Sequence, residues 1–148
     1  RQIYAQIEDA AKSEGLDVHF SRIVRTPNTI DSHRLLHWAA GTGKQSDVAE
    51  SLFRRYFTEG RNIESPDELQ SAAEENGISG EDLAAFLGGD EDRETVEQGI
   101  AHAQAIGVTG VPCFIFDGRF GVMGAQSPEA LAQAIDRAVT ERAQKAAQ

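Results

Sequence analysis

Cys113 is the first residue to weigh for chemistry, because a thiolate attacks disulfides and binds metals, and the 148-residue sequence holds no second cysteine. One thiol cannot run a dithiol cycle or close an internal disulfide. Its setting argues for packing instead. Pro112 precedes it, Phe114-Ile115-Phe116 follow, and no cation lies near in sequence, which are the surroundings of a small buried hydrophobe. His33 and His37 stand one helical turn apart, a spacing that could bring two imidazoles to one metal, but nothing beyond Asp31 is at hand to complete the set. No metal site is expected. Gly107-Val108-Thr109-Gly110 precedes a strand rather than a helix, the wrong order for a phosphate cradle, and tight turning explains it better. Trp38, Phe53, Tyr56 and Phe57 fall at helical spacing and are expected in the core; the other reading is an apolar groove for a peptide or small aromatic substrate.

The elements that must position these residues follow from the punctuation. Cys113 to Phe116 reads as a strand, Asp117-Gly118 as a turn and Phe120 to Met123 as a return strand, which together make a hairpin. A proline that opens such a strand removes a ladder donor, so Pro112 belongs at a strand start, an edge or a bulge. Helices are expected before the hairpin: one ending at Gly15, one from Ile30 to Ala40 capped by Asn28 or Thr29, and one from Gln45 to Glu59. Ser65-Pro66-Asp67-Glu68 reads as a capping box with proline at the first helical position, and Ser79 caps a short helix through Leu83 and Phe86. A longer helix, Glu91 to Ile106, should bury Val96, Ile100 and Ala103, and a last one begins at Ser127-Pro128.

Composition narrows the partners. With 40% hydrophobic and 26% charged residues the chain is long and apolar enough for one ordinary core. A formal net charge of −10 repels phosphate backbones and anionic membranes, so neither nucleic acid nor a membrane is an expected partner. No apolar run reaches the roughly 18 to 20 residues of a membrane-spanning helix. With no signal-peptide pattern at its start, the chain is expected to be cytoplasmic.

The run Gly107-Val108-x-Gly110-Val111-Pro112-x-Phe114, then Asp117-Gly118, Gly121-Val122-x-Gly124-Ala125-Gln126 and a terminal helix, resembles the DsbA-like thioredoxin-fold family. The likeness is strongest to its FrnE-type dithiol-disulfide isomerases, which are related to the kappa-class glutathione transferases and the 2-hydroxychromene-2-carboxylate isomerases. Pro27-Asn28-Thr29 with His33-Arg34-Leu35, and Tyr56-Phe57-Thr58-Glu59-Gly60, match as well. The resemblance implies an α/β thioredoxin-like fold of the DsbA type, with a large helical insertion over residues 1–106 and the ββα closing part over 107–148. It implies a cis bond at Val111-Pro112, with the backbone of Val111 and Pro112 holding an extended thiol or disulfide substrate, protein or small molecule, and with Asn28 and His33 as further substrate contacts. His33 suits either a structural hydrogen bond or the lining of a substrate groove.

By the same resemblance the front βαβ unit with its Cys-x-x-Cys is missing. It is expected upstream of Arg1, which sits mid-helix, so that this stretch alone would be inactive. Two other readings stand beside this thiol-disulfide oxidoreductase. In one, a serine replaces the first cysteine and the protein is a glutathione-dependent isomerase or transferase, with glutathione on the same backbone. In the other the chain is a non-catalytic interaction or remnant domain. No resident cofactor is expected, and an exposed sheet edge makes a homodimer a natural assembly.

Overall fold

The computed structural model describes residues 2–146, and the chain divides into two compact units, Arg1–Gln98 and Gly99–Gln148. The first unit begins with α1 (Gln2–Ser13), Arg1 lying outside the described residues, and continues through a short 3-10 turn, Phe20–Arg22. The helices α2 (Ile30–Gly41), α3 (Gln45–Phe53), α4 (Pro66–Glu75) and α5 (Gly80–Gly88) then pack around one core. Leu35, Val48, Leu69 and Leu83 are fully buried there, each contributing about 1.5 to 3 kcal/mol relative to exposure. The helix α6 (Arg93–Ala105) runs across the division.

Local signals explain most boundaries. Asn28 Oδ1 accepts the Ile30 N–H at 3.1 Å, so Asn28 rather than Thr29 supplies the side chain that caps α2. Ser79 Oγ accepts the Asp82 N–H at 3.3 Å and starts α5. Ser65 precedes Pro66 as expected, but the reciprocal box with Glu68 does not form: the Ser65 side chain makes no cap bond. The Glu68 carboxylate instead accepts from Arg55 at 2.8 Å and Arg61 at 3.4 Å, two charged donors that outcompete a backbone amide.

The expected helix from Gln45 to Glu59 is interrupted. After Phe53 the backbone widens into a π-helical turn over Arg54–Thr58, closed by the Glu59 N–H bonding to the Arg54 carbonyl at 3.1 Å. Ion pairs brace this turn. Arg54 reaches Glu59 and, at 2.6 Å, Glu75, while the nearly buried Arg55 reaches Glu68 at 2.8 Å and Glu75 at 3.1 Å. Beyond it Gly60 takes φ +71°, and a Cβ there would also lie 2.5 Å from the Arg22 carbonyl oxygen, so glycine is required on both counts.

Arg34 is fully buried and ties α2 to the end of α5. Its guanidinium donates to the carbonyls of Phe86 (3.0 Å), Gly89 (2.7 Å), Glu91 (2.8 Å) and Leu87 (3.4 Å), and to Asp31 Oδ1 at 2.9 Å. These carbonyls lie at the end of a helix and just beyond it, where the backbone runs out of its own donors. The Phe86 ring takes the guanidinium 5.0 Å from its centroid and stacks with Trp38 at 5.1 Å.

In the second unit β1 (Cys113–Phe116) and β2 (Phe120–Met123) pair antiparallel, with Cys113 opposite Met123 and Phe116 opposite Phe120. Asp117 and Gly118 both take positive φ, as the Asp-Gly pair leads one to expect, and the Arg119 N–H closes onto the Phe116 carbonyl at 3.1 Å. The last helix, α7 (Pro128–Ala146), lies on both strands and buries Ala138. The predicted burial along α6 is only partial: Val96 and Ala103 are half-buried, and no residue of the helix is fully buried. Ile100 and Ile106 are exposed, since an apolar stripe is buried only where another element covers it. No helix among the described residues is long and apolar enough to cross a membrane.

Candidate functional site

The start of β1 carries the first candidate. The Val111-Pro112 peptide is cis, and the Pro112 carbonyl accepts the Gly124 N–H at 2.8 Å, which fixes it to the far end of the hairpin. Val111, one residue earlier, is 89% exposed, and among the described residues its N–H and C=O have no partner. A free donor and acceptor on one exposed residue at a strand start can pair with an extended chain as an added strand. Cys113 is half-buried and faces a concavity of about 650 Å³ in the same unit, shared with His102, Ile106 and Met123.

The second candidate lies in the first unit, a half-open cavity of about 380 Å³. Leu36 and Leu52, from α2 and α3, line it together with Ile63. Phe53, Tyr56 and Phe57 form an aromatic wall where α3 passes into the π turn, with Phe57 4.9 Å from Tyr56 and 6.1 Å from Phe53. Phe53 was expected in the core and is instead 60% exposed, because its side of the helix faces this cavity. Its groove reading is the one the structure supports. Trp38 does pack against the core as predicted.

His33 lines the same cavity, and its Nδ1 lies 2.7 Å from the Thr29 carbonyl. A carbonyl only accepts, so Nδ1 carries a hydrogen, which leaves Nε2 facing away from this bond. Asn28 has its side-chain oxygen on the Ile30 N–H, and its own N–H donates to Glu64 at 3.3 Å. His33 and Asn28 thus belong to the first unit, Val111 and Pro112 to the second. His37 pairs with Asp92 at 2.9 Å rather than joining His33, and among the described residues no His, Cys, Asp or Glu group is placed to hold a metal.

Sequence reasoning named Arg34 only within a matched patch, gave it no role of its own, and had no signal for the π turn. The cavity did have one: Ala49, Leu52, Phe53, Tyr56 and Phe57 recur at helical spacing and make a face wider than a single packing partner covers.

The family model described as DSBA-like thioredoxin domain matches residues 1–136, and the chain belongs to that family. Its helices and two-stranded antiparallel sheet are those of a DsbA-like thioredoxin fold. A crystal structure of a probable DsbA oxidoreductase from Streptomyces coelicolor is similar at TM-score 0.82 and 30% identity, over 93% of this chain and 59% of that one. The uncharacterized protein YwbO of Bacillus subtilis (strain 168) is 27% identical over 130 residues, 87% of this chain and 64% of the relative. The chain therefore spans about three fifths of each of these proteins.

Proposed function

We propose that the chain is part of a thiol-disulfide oxidoreductase of the FrnE type, in which Val111 and Pro112 hold the substrate backbone beside a redox cysteine pair. The observation that carries this reading is the unpaired, exposed backbone of Val111 on a chain of the DSBA-like family. In the exchange one thiolate attacks a sulfur of the substrate disulfide and expels the other sulfur as a thiolate. The second enzyme thiolate then breaks the mixed disulfide, releasing the reduced substrate and leaving the pair oxidised for dithiothreitol to reduce; this requires two cysteines where this chain has one. The pair must then come from residues outside this sequence, and the 148 residues alone are inactive.

An insulin-reduction assay with dithiothreitol tests both halves. The chain alone should not accelerate precipitation, whereas the polypeptide extended by the codons preceding Arg1 should. In that longer protein Val111→Pro, which removes the substrate-facing N–H, should raise KM. Glutathione would pair with the same backbone and serves as the second substrate in the assay. Activity of the chain alone would show that Cys113 reacts unaided and overturn the reading. So would an extended protein that lacks a cysteine pair.

A further inference from the structure

We propose that Gln126 is a positioning residue for the substrate-pairing backbone of Val111, acting through the open end of the hairpin. The inference rests on the exchange reading above and deepens it. Strand pairing explains why such a residue is needed. Residues facing one another across an antiparallel ladder alternate between pairs that exchange two hydrogen bonds and pairs that exchange none. Gly124 donates its N–H to the Pro112 carbonyl at 2.8 Å, so this is a bonded position, but proline has no N–H to return. The end of β1 that carries Val111 is therefore held by one backbone bond where two are usual. Next to it Cys113 faces Met123 as a non-bonded pair, which turns the Met123 carbonyl away from β1, toward the outer edge of the sheet.

That carbonyl is where Gln126 reaches. Its Nε2 donates to the Met123 oxygen at 2.8 Å. Between the two residues the chain turns through Gly124 at φ +79°, a left-handed conformation that glycine adopts freely, and a Cβ built there would lie 3.6 Å from the Gln126 Nε2. The side-chain amide thus folds back over the turn and keeps the Gly124 N–H against Pro112. Glycine and glutamine have separate tasks in the Gly124-Ala125-Gln126 run: one supplies the turn and the N–H, the other keeps the turn closed. On its far side the turn is anchored by α7, which lies on both strands and starts where the Ser127 carbonyl accepts the Leu131 N–H at 3.1 Å. Val111 is exposed and its own N–H and C=O have no partner among the described residues, so its direction follows from how firmly Pro112 is held.

The test uses the polypeptide extended by the codons preceding Arg1. Gln126→Met keeps the length of the side chain and removes the donor, and Gln126→Lys restores a donor. Gln126 is exposed, so both variants should melt close to wild type. Losing one neutral hydrogen bond changes an equilibrium by about two- to tenfold. In Gln126→Met the Gly124 amide should therefore exchange its hydrogen faster by about that factor, while the Arg119 amide at the closed end keeps its rate. KM for insulin should rise similarly at unchanged kcat, because only the fraction of molecules with the backbone in place binds. Turnover of 2-hydroxyethyl disulfide, which has no peptide backbone to pair, should not change. Gln126→Lys should bring Gly124 exchange and KM back toward wild type. Unchanged exchange at Gly124, an unchanged KM for insulin, or an equal loss on both disulfides would each overturn the proposal, the last by showing a general loss of structure. A wild-type protein that reduces neither disulfide overturns the exchange reading instead, and Gly124 exchange then decides alone whether Gln126 holds the hairpin end.

Discussion

Replacing Arg34 by methionine keeps most of the aliphatic volume and removes every donor that the guanidinium gives to the C-terminal end of α5 and the loop after it. The carbonyls of Leu87, Gly89 and Glu91 lose the donor the guanidinium gave them, while Phe86 keeps the Gly89 N–H at 3.2 Å. Asp31 keeps Arg93 at 3.2 Å, so no carboxylate is stranded. Hydrogen bonds from a charged donor are worth about 1.5 to 3 kcal/mol each, but the variant also escapes the desolvation of a fully buried guanidinium. The balance is a loss of about 3 to 5 kcal/mol, a large share of the roughly 5 to 15 kcal/mol that holds a domain together. Lysine can satisfy only part of the set from one ammonium and should lose about 2 to 3 kcal/mol. The assay is urea unfolding followed by Trp38 fluorescence, since this single tryptophan stacks on Phe86 and reports on the seam itself. A methionine variant within about 1 kcal/mol of wild type at unchanged m-value would refute the reasoning, as would a lysine variant that matches wild type.

Three other outcomes follow from the same geometry. Desolvation pushes the Glu75 carboxyl upward, but the hydrogen bond from Arg55 and the charges of Arg54 and Arg55 outweigh it and hold it below its ordinary value of 4.5. Its stabilising contribution is therefore complete above 4.5 and lost as pH falls through the lower folded value, so urea midpoints measured across that window should fall less steeply in Glu75→Gln than in wild type. Gly60→Ala should lower stability by about 2 kcal/mol or more, because the new Cβ meets Arg22 at a positive φ. Gly15→Ala, at φ +77° but with open space around it, should lose only about 1 kcal/mol, and thermal melts separate the two. Cys113→Ser should shift the melting midpoint by less than about 1 kcal/mol equivalent, and thiol titration of the folded wild type should find one reactive group per chain, since Cys113 is half-buried.

Sequence carried the elements that depend on neighbouring residues. Asp117-Gly118 set the hairpin and its register, Pro66 and Ser79 set two helix starts, and the matched patches pointed to the family. What it could not carry were competitions between distant groups. Glu68 leaves its expected cap because Arg55 and Arg61 lie across the fold, and a buried Arg34 is intelligible only once the end of α5 is seen to lack donors. The burial forecast along α6 failed at Ile100 for a related reason: periodicity says which face is apolar, not how far anything comes to cover it. Both halves of the candidate chemistry were in view, Val111 and Pro112 from the family likeness and the aromatics from their spacing, but the core assignment of Phe53 had to be reversed.

The widened turn at Arg54–Thr58 also bears on how this chain should be aligned with its relatives. A π turn is an α-helix holding one residue more than its pitch needs, so a homologue that lacks it is shorter by a single position inside a helix, where alignment practice least tolerates a gap. Placing that gap in a neighbouring loop instead would rotate every assignment from Tyr56 onward by about a quarter turn. Aromatic residues that wall the cavity would then be equated with solvent-facing ones.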